Sequence, residues 1–204
     1  MAAYQKKLFK IDAHVGIGIA GLWSDARVLS NFMRSETLRS RLVFKRLLPV
    51  SRLVHAVGDK AQVNTQKMGK RPYGVGLLVA GVDETGAHLY ECAPSGNVFD
   101  YRAVAIGARS QSAKTYLEKH FEDFDQGTIS LKTYCIATLD QLVVHGLKAL
   151  KDTLQSDKEL NINNCSIGIV GKDVNFYVLE AEGLQGYLDK LNESSDAAAM
   201  ETDS

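Results

Sequence analysis

Several groups of residues in this chain have types and spacings that could carry chemistry. Gly16-Ile17-Gly18-Ile19-Ala20-Gly21 satisfies the glycine fingerprint of a dinucleotide site, in which backbone N–H groups at a helix N-terminus cradle a pyrophosphate. That chemistry needs a strand, a glycine turn and a single crossover helix. Here Val15, Ile17 and Ile19 alternate with His14, Gly16 and Gly18, so a strand runs through the fingerprint, and a pair of helices follows. The favoured reading is a strand whose glycines admit a close neighbouring layer. Ser110 is a nucleophile candidate near a helix start. No Gly-x-Ser-x-Gly elbow surrounds it and no histidine stands at a suggestive spacing, so a capping role suits it better. His14, His55, His88, His120 and His145 are scattered and read as strand-face or helix-face residues. Cys92, Cys135 and Cys165 are widely spaced, with no Cys-x-x-Cys or paired-His pattern, so neither a metal nor a cofactor is expected. Lys6, Lys7 and Lys10 form a basic cluster that on bulk arguments is a solvated strand edge, where lysines block unwanted pairing.

The elements that must position these residues follow from period and punctuation. Leu8–Asp12 and His14–Ala20 read as strands. A helix capped by Ser24, with Trp23 stapled on Val28, carries Val28, Leu29, Phe32 and Met33 on one face. Pro49 breaks it, and a second helix after Ser51 buries Leu53, Val54, Val57 and Ala61. Gly74–Val82 is a near-continuous apolar run, expected to be a strand covered on both faces. Asp83-Glu84-Thr85-Gly86 turns it into a return strand, Ala87–Ala93, and Pro94-Ser95-Gly96-Asn97 leads to a third, Val98–Ile106. A helix from Ser110 carries Ala113, Tyr116, Leu117, His120 and Phe121 on its buried face, and a later one carries Leu142, Val143, Leu147, Leu150 and Leu154. Two strands, Cys165–Gly171 and Asn175–Glu180, and a short helix near Gly186–Leu191 close the pattern. Residues 192–204 are small, polar and acidic, and read as a disordered tail behind a single domain over 1–191. Helices in consecutive pairs between groups of strands predict an α+β fold of two stacked antiparallel sheets between helix layers.

Bulk properties narrow the function. The 204 residues carry 24 basic and 24 acidic side chains, with no net charge, which argues against a nucleic-acid partner. No apolar run approaches the ~20 residues that span a bilayer, so no membrane partner is expected. Three cysteines, odd in number, fit reduced thiols in the cytosol or nucleus.

Taken together, several stretches resemble the proteasome alpha family. They are Gly18-Ile19-Ala20-Gly21-Leu22 with Asp25-Ala26-Arg27, Pro49-Val50-Ser51-Arg52-Leu53-Val54, and Arg71-Pro72-Tyr73-Gly74-Val75-Gly76-Leu77-Leu78-Val79-Ala80-Gly81. Pro94-Ser95-Gly96-Asn97, Gly107–Glu118 and Ser166-Ile167-Gly168-Ile169-Val170-Gly171-Lys172-Asp173 also fit, and the likeness runs from about Gln5 to about Leu188. The resemblance implies a four-layer α/β/β/α sandwich without peptidase activity. It implies a place in a seven-membered ring of different alpha subunits, stacked on a catalytic beta ring and docking regulatory caps. Met1-Ala2-Ala3 offers no N-terminal threonine, in keeping with that. Relative to the family the chain begins inside the sheet, without the N-terminal helix and first strands. Asp125–Thr138 is a longer helix connector than the family's and is expected at the surface. The family's lysine that receives cap C-terminal tails precedes an apolar residue, two variable positions, Ile or Val, and Asp. Lys7-Leu8-Phe9-Lys10-Ile11-Asp12 matches it, so the resemblance makes Lys7 the pocket lysine and Gly21 and Leu22 part of the pocket wall. Two other functions compete: an independent amidohydrolase of the same fold, which needs an N-terminal Thr, Ser or Cys, and a nucleotide-binding domain using Gly16–Gly21.

Overall fold

In the computed structural model of the chain, the described residues are 5–121, 139–154 and 160–201, with side chains described as far as Leu191. The connector Asp125–Thr138 lies outside them. Where the sequence predicts one domain over 1–191, the contacts group the chain into two compact units, 1–107 with 168–177, and 108–167 with 178–204. The core cluster explains the division: all its buried members lie between Ile11 and Cys92.

In the first unit, β1 (Leu8–Asp12), β2 (Val15–Gly21), β3 (Val75–Asp83), β4 (Gly86–Cys92) and β5 (Val98–Asp100) form an antiparallel sheet in chain order. Between β2 and β3 come α1 (Trp23–Phe44) and α2 (Val50–Gln66). The period of two in β2 decides how the layers stack. Val15, Ile17 and Ile19 are buried in one cluster with Leu29 and Met33 of α1 and Leu53 and Val57 of α2. Gly16 and Gly18 face the other way. There lies a two-stranded hairpin, β6 (Ile167–Gly171) and β7 (Val174–Leu179). A Cβ on Gly16 would stand 1.9 Å from the Phe176 ring, and the Phe176 N–H donates to the Ala13 carbonyl at 2.6 Å. The nucleotide fingerprint thus lies within β2 rather than in a turn before a helix: Gly16–Gly18 pair with β1 and β3, and Phe176 packs on Gly16. The absence of a Cβ admits Phe176, as the strand reading expects.

Details of this unit differ from the sequence reading. The N-cap of α1 is Leu22, without a side-chain cap bond, so Ser24 sits inside the first turn. The buried stripe of α1 runs through Ala26, Leu29, Ser30, Met33, Thr37 and Ser40, which leaves Val28 half exposed. Trp23 packs on Phe9, ring centroids 6.4 Å apart. Leu53, Val54, Val57 and Ala61 of α2 are buried as predicted. β5 is three residues long instead of reaching Ile106, because its pairing with β4 ends once the Tyr101 N–H has met the Leu89 carbonyl.

The second unit contains α3 (Ser110–Lys119), α4 (Leu139–Lys151) and α5 (Glu182–Glu201). Val143 and Leu147 of α4 and Leu184, Leu188 and Leu191 of α5 are buried at helical spacing. At the surface, the Lys190 ammonium lies 2.6 Å from the Asp140 carboxylate. The N-cap of α3 is Arg109, in the left-handed region, so Ser110 is the first helical residue and makes no cap. Of the face expected on α3, only Ala113 is fully buried, and Phe121 is 49% exposed. The helix expected near 186–191 is longer, and the backbone stays helical through Glu201, where disorder was expected. Asn192–Glu201 has no Gly or Pro, and Ala197-Ala198-Ala199-Met200 are strong helix formers.

One polar contact fixes how the helices leave the sheet. Asp25, in the first turn of α1 and only 7% exposed, accepts Arg71 Nη1 at 2.6 Å and Nη2 at 3.0 Å, and the Gly74 N–H at 2.8 Å. The Arg71 hydrogen bond, assisted by Gly74 and opposed by burial, holds the Asp25 carboxyl below its usual range. A carboxylate with a lowered folded pKa stabilises the fold fully above its unfolded value of ~3.9, and that stabilisation is lost as pH falls through the folded value. Asp25→Asn is therefore expected to flatten the acid limb of stability below about pH 4, as read by thermal unfolding between pH 7 and pH 3; an acid limb as steep as the parent's would contradict it. On the other face of the sheet, Gly16→Ala is expected to cost about 1–3 kcal/mol by overpacking. Combining it with Phe176→Ala should cost less than the sum of the two single changes, a coupling that a double-mutant cycle measures.

Candidate functional site

Gly21 and Leu22 form the corner where β2 ends and α1 begins, and Lys7 lies just before β1, the neighbouring strand. The Ile19 N–H donates to the Lys7 carbonyl at 2.9 Å, and Leu8 pairs with Gly18, so Lys7 stands opposite Ile19 and close to Gly21. Alternation puts Lys7 on the same side of the sheet as Phe9, which packs on Trp23, the residue after Leu22. Lys7 is exposed. Lys10, on the same strand, has its carbonyl bound by Arg34 Nε and Nη2 at 3.1 and 2.9 Å.

The wall of this corner is backbone held in a shape only glycine allows. Gly21 has φ +125°, and a Cβ on it would come within 2.3 Å of the Gly74 carbonyl oxygen. The Leu22 N–H donates to that same oxygen at 2.7 Å, and the Leu22 side chain is 48% exposed. Because Leu22 supplies no side-chain acceptor, α1 starts at this corner without a side-chain cap, at the positive end of its helix dipole. Asp25 in that turn is already occupied by Arg71 and Gly74. An exposed ammonium beside a helix N-terminus suits a compact anion such as a carboxylate.

The other candidates do not assemble into chemistry. Among the described residues the nearest approach to a nucleophile–base–acid set is Thr85, His88 and Asp83, which the sequence reading divided between a turn and the strand after it. Thr85 Oγ1 lies 2.7 Å from His88 Nε2, and Asp83 Oδ1 lies 3.2 Å from that same nitrogen. A catalytic imidazole needs its two nitrogens turned to different partners, so this set cannot relay a proton. It braces a turn: Asp83 Oδ1 also accepts the Thr85 N–H at 2.8 Å, and Oδ2 accepts the Val50 N–H at 3.0 Å, at the start of α2. Burial alone would raise the Asp83 pKa, but these bonds outweigh it and hold the carboxyl low. His14 Nε2 bonds the Leu48 carbonyl at 2.9 Å and His55 Nδ1 the Ser51 carbonyl at 2.6 Å. In the second unit, His145 Nδ1 lies 3.0 Å from Tyr116 Oη, and the His120 ring stacks on Tyr116. Burial pushes the Cys92 thiol up to about 12 and raises that of Cys165, so neither is a ready thiolate. Cys135 lies outside the described residues. Among the described residues no cluster of three or more His, Cys, Asp or Glu side chains could hold a metal, and no helix is long and apolar enough to cross a membrane. The contact that sequence reasoning missed is the Asp25–Arg71–Gly74 latch. Its only signal was an acidic residue in a first helical turn, which also has a simpler reading as a partner of the helix dipole.

A family profile described as "Proteasome subunit" matches residues 1–170. The chain is 50% identical to "Proteasome subunit alpha type-1" of Dictyostelium discoideum over 99% of its own length and 77% of that protein's. It is 46% identical to "Probable proteasome subunit alpha type-6" of Schizosaccharomyces pombe, covering 98% and 70% of the two chains. With "Proteasome subunit alpha type-6" of Saccharomyces cerevisiae it shares 47% identity over 92% and 76%. Matches of this length span β1 to β6 and the corner between Lys7 and Gly74, and they show that the chain belongs to the proteasome subunit family.

Proposed function

We propose that the chain is a non-catalytic structural subunit of the proteasome alpha ring, similar to alpha subunits named type-1 and type-6, acting in ubiquitin-dependent protein degradation in the cytoplasm and nucleus. The observation that carries this reading is identity of 42–50% to alpha subunits over nearly the whole chain. In this reading both units belong to one four-layer α/β/β/α sandwich. The first unit supplies helices, five-stranded sheet and hairpin in that order, consistent with three of the layers. Partners are the other alpha subunits of a seven-membered ring, the beta subunits, and regulatory caps. Exposed apolar residues support a life inside an assembly. Leu38, Leu42, Val43 and Phe44 at the end of α1, with Leu47 beyond it, are 47–71% exposed, a grouping that marks contact surface. The nucleotide-binding alternative is not favoured, because Phe176 fills the space beside Gly16.

Lys7, with Gly21 and Leu22, is proposed to receive the C-terminal tail of a regulatory cap. The Lys7 ammonium would meet the terminal carboxylate, and the Gly21–Leu22 backbone would wall the pocket. One exposed pair contributes only ~0.2–1 kcal/mol, so docking would depend on several linked tails filling several pockets.

Purification of the tagged chain from its native cells, followed by mass spectrometry, is expected to recover other alpha and beta subunits. Recovery of the chain alone, or of an unrelated complex, would overturn the assembly reading. In assembled particles, Lys7→Ala is expected to reduce crosslinking of a cap tail at this site while leaving ring composition unchanged; undiminished crosslinking would remove Lys7 from the pocket.

A further inference from the structure

We infer that the fork between Asp25 and Arg71 is a positioning device for the tail pocket, setting its Gly21–Leu22 wall through Gly74. The inference rests on the reading of Lys7, Gly21 and Leu22 as a carboxylate pocket. It is carried by a continuous run of short contacts. The Leu22 N–H donates to the Gly74 carbonyl at 2.7 Å. The N–H of that same Gly74 donates to Asp25 Oδ2 at 2.8 Å. Gly74 is thereby gripped at both its backbone groups, one by the wall and one by the carboxylate. Asp25 is gripped in turn by the two nitrogens of Arg71, at 2.6 and 3.0 Å.

The geometry separates holding from touching. Among the described residues, the Arg71 guanidinium bonds only Asp25 and the Pro72 carbonyl, the latter at 3.0 Å, and makes no bond to Lys7, Gly21 or Leu22. Its side chain is 64% exposed, whereas that of Asp25 is only 9% exposed. An exposed ion pair ordinarily contributes little. Here the acid is nearly buried, the contact is two-pronged, and removing Arg71 leaves Asp25 with the Gly74 N–H alone at this end. A guanidinium fork can hold both carboxylate oxygens in one plane, and a lysine at position 71 cannot. Gly21 adds the reason that a small shift matters. Its φ of +125° and the 2.3 Å approach that a Cβ would make to the Gly74 oxygen show how closely the two backbones are fitted. Movement of Gly74 must therefore move the wall.

The test uses assembled particles carrying the full-length subunit and two synthetic cap-tail peptides with a photo-crosslinker, one ending in a free carboxylate and one amidated. Crosslinking to this subunit is read for each peptide. Lys7→Ala is expected to abolish the preference for the free carboxylate. Arg71→Gln and Arg71→Lys are both expected to weaken capture of both peptides about 3–10-fold, the scale of one lost hydrogen bond, while the preference for the carboxylate persists. If Lys7→Ala changes nothing, the pocket reading fails. If Lys7→Ala acts and both Arg71 variants bind as the parent does, the positioning inference fails alone. Loss of the carboxylate preference in the Arg71 variants would make Arg71 a direct contact and also overturn it. Hydrogen exchange of the Leu22 amide, measured on the variant chains themselves, is expected to quicken in both, and unchanged protection would sink the inference whether or not the particles form.

Discussion

The alternation along β2 is the constraint from which the rest of the first unit follows. One strand must satisfy two unlike neighbours. Its odd positions, Val15, Ile17 and Ile19, close the core beneath α1 and α2, and on the other face Gly16 leaves room for Phe176 of the β6–β7 hairpin. Slipping the strand by one residue would place Phe176 against branched side chains and glycines against the helices, losing both interfaces together. Pairing with β1 on one side and β3 on the other pins that register. The strand then ends at Gly21, whose positive φ turns the chain into α1. The corner that bears Lys7 and Leu22 is thus a consequence of how the central strand stops.

Much of this was legible because it depends on local pattern. The strand reading of Gly16–Gly21 came from period two, and the four buried α2 residues came from helical spacing. The apolar run from Gly74 gave β3, and its alternation of buried and half-buried residues shows a strand covered more deeply on its helix side. The errors came where a pattern allowed a neighbouring phase. Val28 and Leu29 are adjacent, and only the tertiary contact decides which one faces the core. Ser24 and Ser110 have the right chemistry for caps, but the chain enters the first helix two residues earlier, at Leu22, and the other one residue earlier, at Arg109. Asn192–Glu201 was read from its polarity, while its alanines favoured a helix backbone.

The candidate site was legible in a different way. Lys7 was chosen by likeness to a family pattern, and nothing in charge or periodicity distinguished it from Lys6 or Lys10. The fold supplies a physical distinction for Lys10: its carbonyl is taken by Arg34, and its side chain alternates to the opposite face of the strand from Lys7. The latch beneath the corner was not legible at all, because Asp25 and Arg71 are 46 residues apart and are brought together only when α1, α2 and β3 have packed.

This arrangement divides affinity from shape. A single exposed lysine would offer the proposed tail a charge that water and salt largely screen. It gives little information about where the carboxylate should sit, since an ammonium on a flexible stem accepts many approaches. Direction must then come from groups that do not move, and in this corner those are the Gly21–Leu22 backbone and the first turn of α1. Both are fixed to Gly74, and Gly74 is fixed to a nearly buried carboxylate whose charge Arg71 offsets from the surface. The guanidinium therefore serves the corner by holding that carboxylate, and through it Gly74, in place. Glutamine at position 71 gives up the charge of the fork and lysine gives up its two-pronged geometry, and either loss loosens the grip on Gly74.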